Sequence, residues 1–192
     1  MINKAGFYDV QPGDLLIAPP QAEMGPFAES VMLVGVNNEE GTQAWVMNRA
    51  TGHKVSEILK DYNIRLINDP DLYWGGPVSP HTVWMLHSPE WQLGNTRSIN
   101  EHWAVTSNEA MFHHLADGDA PRYFKIMMGY AGWTRGQLNE ELRGEPPRKQ
   151  SQSWLILRDP DTEWLAEQSE EELWRDAVAQ SVQQSVDRVF SW

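Results

Sequence analysis

The sequence predicts one globular domain that mixes strands with helices, and three features carry that reading. Short apolar runs closed by glycine, proline or polar turns recur from Asp14 to Leu157 and read as strands. Two of them, Val31 to Val36 and Gln43 to Asn48, are separated only by the polar turn Asn37-Asn38-Glu39-Glu40-Gly41, the pattern of an antiparallel hairpin. Stretches with helical period and their own start and stop signals, around Val55, Met111, Leu138 and Trp174, read as helices. The 192 residues are 41% hydrophobic and include ten tryptophans, each large aromatic being able to bury about 150–250 Å². No repeat or low-complexity tract points to a second unit, so residues 1–192 are expected to form a single domain.

Asp14-Leu15-Leu16-Ile17-Ala18 is a continuous apolar run closed by Pro19-Pro20, which suits a strand buried on both faces. A loop follows, and Phe27 to Val31 leads into the hairpin. From His53 the period changes, and Val55, Ile58, Leu59 and Tyr62 fit one helical face over about two turns. Asp71-Leu72-Tyr73-Trp74 and Thr82 to His87 are strands on either side of the rigid corner Gly75-Gly76-Pro77-Val78. His102 to Thr106 is a further strand. Ser107 as cap, Glu109 in the first turn, apolar Met111, Phe112 and Leu115, and Gly118 as stop define a compact helix.

Tyr123 to Met128 reads as a buried strand running into Gly129-Tyr130-Ala131-Gly132-Trp133, where two glycines flank an aromatic and the backbone bends. Thr134 and Gln137 have capping-box spacing, so a helix is expected from Arg135, burying Leu138 and Leu142 and stopping near Gly144. The polar, proline-containing stretch 144–153 is expected to be an exposed loop, and Trp154 to Leu157 returns to strand. Ser169 and Glu172 form a second capping box. Trp174, Val178, Val182, Val186 and Phe190 follow at four-residue spacing, so the longest helix starts at about residue 170. Leu16, Val34, Val46, Trp84, Ile126 and Met127 are the expected core.

The formal net charge is −12, which repels phosphate backbones, and no Lys/Arg cluster larger than Arg143 to Lys149 offsets it. Direct nucleic-acid binding is therefore not expected. No charged segment with an apolar stretch behind it opens the chain, and no apolar run approaches the ~20 residues that span a bilayer. A soluble, cytoplasmic protein with no membrane association is expected. The absence of cysteine excludes disulfides, thiolate metal sites and cysteine nucleophiles.

The residues that could carry chemistry do not assemble into a known reaction by spacing. His113 and His114 are adjacent on a helix and point about 100° apart. His81 and His87 are too distant along one strand to share an ion. Ser30, Ser79 and Ser107 are candidate nucleophiles with His87, but no G-x-S-x-G elbow is present. Glu140-Glu141 and Glu170-Glu171-Glu172 fit solvated helix faces. No catalytic residue, metal or cofactor is assigned. What remains is a constellation of Asn48, Arg49, Gly75, Gly76, His87, Gly129, Tyr130, Gly132 and Gln137. It reads either as corners and core, with Arg49 paired to an acid, or as a groove for a small anionic or nucleotide-like ligand. On the groove reading the two glycine corners lie together, with Arg49 or His87 near their shared opening.

Leu15-Leu16-Ile17-Ala18 with a proline soon after, Phe27 with Ser30-Val31, Asn48-Arg49, Gly75-Gly76-Pro77-Val78, Leu86-His87, Ser107, Gly129 to Trp133 and Gly136-Gln137-Leu138 occur in an order that resembles the AlgH/YqgE family, from about Asp14 to Trp174. The resemblance implies an α+β fold in which a bent, mostly antiparallel sheet forms a partly closed pseudo-barrel with helices packed outside. Members of that family are labelled uncharacterised, or as candidate transcriptional regulators after the alginate-regulation member. The implied role is a non-enzymatic regulatory or interaction protein that acts indirectly, through a protein partner. A small-molecule binder or enzyme using the glycine-corner groove is the alternative. The chain departs from the family pattern at Pro19, where methionine is usual, at Ala50, where proline is usual, at Ala44-Trp45, where a glycine is usual, and in the extra length of 144–153.

The charge yields a direct test. Fluorescence-anisotropy titration of the isolated chain into labelled duplex DNA should give no submicromolar, salt-sensitive complex; such a complex would refute an indirect role.

Overall fold

The computed structural model describes residues 9–20, 24–143 and 154–190, so the expected loop at 144–153 and the expected helix stop at Gly144 lie outside the described residues. The described strands are β1 (Leu15–Ile17), β2 (Val31–Asn38), β3 (Gly41–Val46), β4 (Ala50–Lys54), β5 (Asp71–Trp74), β6 (Val78–His87), β7 (Arg97–Ser98), β8 (Ala104–Thr106), β9 (Phe124–Thr134) and β10 (Leu155–Leu157). The helices are α1 (Val55–Ile58), α2 (Ala110–Ala116), α3 (Gln137–Arg143), α4 (Thr162–Glu167) and α5 (Glu170–Phe190). The strands form one curled sheet in the order β10-β1-β2-β3-β9-β6-β8-β7, with β4 and β5 beside it. The fold is α+β, and every strand pairing in it is antiparallel except that of β5 with β9. No helix among the described residues is long and apolar enough to cross a membrane.

Both faces of the first half of the sheet are covered, and this is why β1 is apolar without alternation. Leu15 and Ile17 point into a cluster with Trp45, Leu86, Trp103, Met127 and the α5 residues Leu173 and Ala177. Leu16 points the other way, into a cluster with Val34, Val46, Trp133, Leu138 and Trp154. A third cluster under α1 and α2 gathers Val55, Leu72, Met85, Phe112 and Ile126. Leu16, Val34, Val46, Ile126 and Met127 are fully buried, as expected. Trp84 differs: it is partly exposed and packs at the edge of the first cluster.

β9 is the hub. Its first half lies between β5 and β6, pairing Ile126 to Met128 with Leu72 to Trp74 in parallel. Its second half pairs with β3 instead, Ala131 to Thr134 against Gly41 to Ala44. The exchange of neighbours happens at Gly129, whose φ of +70° lies in the left-handed region. A Cβ there would fall 2.2 Å from the carbonyl oxygen of Gly76, and one on Gly76 would fall 2.2 Å from the carbonyl carbon of Tyr130. Two backbones touch at this seam, and only residues without a side chain allow it. The Gly75 N–H donates to Met128 O at 2.8 Å, and its carbonyl accepts from Val46 N–H at 3.0 Å, so one residue links β5, β9 and β3.

Several local expectations are revised by tertiary contacts. The helix after the glycine corner starts at Gln137 rather than Arg135, because β9 continues through Thr134 to pair with Gly41. Half of the expected capping box forms, with the Gln137 side chain accepting from Thr134 N–H at 3.1 Å. The start of α2 is held by Asn108, whose side chain accepts from Ala110 N–H at 3.0 Å, instead of by Ser107. β4 occupies Ala50 to Lys54, where hydropathy shows no strand, because it pairs with β5. The stripe along α5 is half used: Trp174 and Val178 pack on the first cluster, whereas Val182, Val186 and Phe190 are exposed.

Gly129→Ala should therefore destabilise the fold by at least ~2 kcal/mol, combining positive φ with a backbone clash. Gly94→Ala, with no atom within 4 Å of the added Cβ, should stay within ~0.5 kcal/mol. Urea denaturation of both variants against the parent checks the pair.

Candidate functional site

The structure sorts the nine ligand candidates into separate places. Gly75, Gly76 and Gly129 do lie together, but packed backbone to backbone. Asn48 and Arg49 staple the segment before β2. Asn48 Oδ1 accepts from Val31 N–H at 2.8 Å and its Nδ2 donates to Glu29 O at 2.9 Å. Arg49 donates to the carbonyls of Pro26 and Ala28 and lies over the Trp74 ring. The expected acid partner of Arg49 is thus replaced by two carbonyls. His87 is buried at the far end of β6, beside Phe124 of β9, with Nδ1 2.9 Å from Ser88 O and its ring against Trp91. Burial pushes its pKa down, so the neutral ring is favoured. Neither Arg49 nor His87 stands at an opening shared by the glycine corners, and that expectation is corrected.

Tyr130 and Gly132 face a different feature, the mouth of the curled sheet. The path β3-β9-β6-β8-β7 bends back on itself until Arg97 of β7 reaches the Gln43 side chain of β3 at 3.4 Å. Under that closure an aromatic ladder rises out of the core, Trp45 to Trp84 at 5.4 Å and Trp84 to Tyr130 at 6.1 Å between centroids. The Arg97 guanidinium lies 5.7 Å from the centre of the Trp84 ring. Two concavities of about 580 and 460 Å³ meet here and share Gln43, Arg97 and Tyr130. Asn38 and Glu40 stand on one lip, and Ser79, Asn95 and Ser107 on the other. Arg97, Trp84 and Gln43 escaped sequence reasoning because they come from three strands, and their meeting depends on the curl.

Gln137 faces a cavity on the opposite side of β9, where its amide donates to Glu141 at 3.2 Å. A further, mostly apolar concavity brings His81 and His113 together beside Phe112 and Met128. Among the described residues no group of three His, Asp or Glu side chains could hold a metal ion.

A buried cation lies behind the sheet. Lys125 of β9 donates to Met47 O at 3.0 Å and sits 4.4 Å from the centre of the Tyr73 ring. Burial lowers its pKa to about 8, against the opposing pull of Glu170. Burial and the neighbouring Glu170 raise Tyr73 to about 12. Glu170 also accepts from Ala50 N–H at 2.9 Å, which ties the start of α5 to β4. The proline usual at that position in the resembled family has no N–H to give.

The sequence profile of the AlgH-like family matches residues 15–185. A UPF0301 protein of Shewanella denitrificans is 30% identical over 164 residues, covering 83% of this chain and 85% of that protein. A UPF0301 protein of Photobacterium profundum is 32% identical over 172 residues, covering 85% and 88%. Among solved structures, the AlgH protein from Pseudomonas aeruginosa superposes with a TM-score of 0.70 at 28% identity, covering 88% of this chain and 87% of that one. A protein of Corynebacterium diphtheriae shares the fold with a TM-score of 0.66 at 18% identity, covering 92% of each chain.

The Lys125 cluster fixes a sign for pH dependence. Between pH 8 and 10 the folded chain has shed a proton that the unfolded chain, with a lysine pKa near 10.5, still holds. Stability should therefore rise with pH across that window. Above pH 10 the raised Tyr73 pKa acts in the opposite sense. Thermal melts should move upward by about 2–4 °C for each kcal/mol gained, and Lys125→Met should flatten the rise between pH 8 and 10.

Proposed function

The chain belongs to the AlgH-like family, a family of uncharacterised function, and on that footing we propose that it is a non-enzymatic interaction protein that docks an extended segment of a partner protein in the mouth of its curled sheet. The observation that carries this reading is the grouping of Arg97, Trp84 and Tyr130 around one opening. Arg, Trp and Tyr are the residues that dominate binding energy at protein interfaces, because each offers a large contact surface with a polar handle. Among the described residues β7 ends the strand path, which favours an added strand at its outer edge. Around it, Gln43, Asn95, Ser79 and Ser107 supply amide and hydroxyl groups suited to a peptide backbone. The net charge of −12 and Glu40 on the lip favour a basic segment, whose approach they steer. Any effect on transcription then passes through that partner, because the same charge opposes DNA.

The alternative of a small anionic ligand at the glycine corners has less support. The Gly75 N–H is bonded to Met128 O, Arg49 is directed at two carbonyls, and His87 is buried.

A photoreactive side chain introduced at Gln43 should cross-link one partner protein in cells. Arg97→Ala, at an unchanged melting temperature, and Tyr130→Ala, with a lowered melting temperature but folded at the assay temperature because its ring packs on the core, should each reduce that adduct at least tenfold, about 1.4 kcal/mol. Equal adduct from parent and variants, with both variants folded, would refute docking in the mouth.

A further inference from the structure

The cavity on the opposite face of β9 has a different chemistry. Its volume is about 380 Å³, and Phe27, Trp133 and Trp154 line it with Met24, Gln137 and Glu141. The rings of Phe27 and Trp133 stand nearly perpendicular to that of Trp154, at 73° and 83°, each with its centroid 6.0 Å away. Trp154 is thus set across the other two rings in the cavity lining. Glu141 of α3 is buried, with 5% of its surface exposed. One carboxylate oxygen accepts from the indole N–H groups of both Trp133 and Trp154 at 2.9 Å, and the other accepts from Gln137 at 3.2 Å.

We propose that this cavity binds the quaternary ammonium group of a small molecule. Aromatic ring faces are the negative ends of a quadrupole and attract a cation. Here both indoles donate their N–H to one carboxylate, which fixes the rings and polarises them toward greater electron density on the faces. The choice between kinds of cation follows from the acceptors. The carboxylate already serves Trp133, Trp154 and Gln137. A primary ammonium brings three N–H donors that would lose water without enough acceptors to replace it. A quaternary ammonium has no N–H, is weakly hydrated, and presents only methyl groups to the rings and to Met24. The volume lies in the range of small-molecule sites, and the net charge of −12 raises the local concentration of cations.

Calorimetric titration of the full chain with tetramethylammonium and with choline at constant ionic strength tests the proposal, with NMR following the indole N–H signals. Saturable one-to-one binding is expected, with shifts at Trp133 and Trp154. The neutral tert-butyl isostere of choline and the primary amine ethanolamine should each bind at least tenfold more weakly. Phe27→Leu removes one ring from a partly exposed position, leaves the Glu141 hydrogen bonds in place, and should weaken choline at least fivefold at an unchanged melting temperature. Equal binding of the neutral isostere would reduce the cavity to an apolar hole, equal binding of ethanolamine would reduce it to diffuse charge attraction, and no saturable binding would leave no site; each result overturns the proposal. The ligand comparison on the parent protein decides the matter even if the variant fails to fold.

Discussion

The contact on which this fold depends is the approach of two backbones at Gly76 and Gly129, closer than any side chain permits. It lets β9 give up β5 as a neighbour after Met128 and take β3 from Ala131, with Gly75 hydrogen-bonded to both sides of the exchange. A sheet that changes partners at its central strand cannot stay flat. The two halves tilt, the far end at β7 swings back over β3, and the opening between them becomes the mouth that Arg97 and Gln43 bridge. The parallel β5–β9 pair, unusual in an otherwise antiparallel sheet, belongs to the same geometry.

Closing a sheet this tightly leaves an interior that must be filled, and large aromatic side chains fill it. Trp45 is fully buried and lies across Gly35, where a Cβ would fall 2.2 Å from its ring, at the point where the β2–β3 register shifts. Ring and gap thus face each other on opposite strands of the hairpin. The filling has a cost: the indole N–H groups of Trp45, Trp84 and Trp103 are buried without a hydrogen-bond partner among the described residues, each carrying a desolvation penalty of ~1–3 kcal/mol. Trp84 is the member of that group at the rim, where the ladder meets Arg97 and Tyr130, so the core and the proposed docking surface are one continuous aromatic stack.

What the sequence made legible follows from how local each signal is. The run at Leu15 to Ile17, the hairpin and the start of the long helix after Ser169 are settled within a few residues and appear where expected, although the Ser169 hydroxyl donates to the Glu172 side chain at 2.6 Å, a side-chain contact rather than the two backbone bonds of a capping box. β4 was illegible because Ala50 to Lys54 has no apolar pattern; its conformation is imposed by β5, a score of residues on. The closeness of the two glycine corners could be foreseen from their shared need for exposed backbone, but what surrounds them could not. Arg49 looked like a ligand anchor and is consumed by the Pro26 and Ala28 carbonyls, while Arg97, with no motif around it, arrives at the mouth through the curl.

The period of a strand explains why two unlike cavities share β9. By alternation the side chains of Tyr130 and Thr134 fall on one face and those of Ala131 and Trp133 on the other; Tyr130 and Thr134 line the mouth, Ala131 lines the aromatic cavity, and Trp133 borders both. The two are separated by the thickness of one strand, and Gly132 borders both. A Cβ at that position would come within 3.2 Å of the Tyr130 ring, so the bare backbone sets how far the ring settles toward Val78 and how wide the mouth stands. Ala131 to Thr134 are held by β3 and Tyr130 by Val78 of β6, so a shift of Trp133 on one side passes along the backbone that seats Tyr130 on the other. Dense packing of this kind transmits displacement rather than damping it, which makes the Gly129–Trp133 segment the place where the two surfaces are mechanically joined.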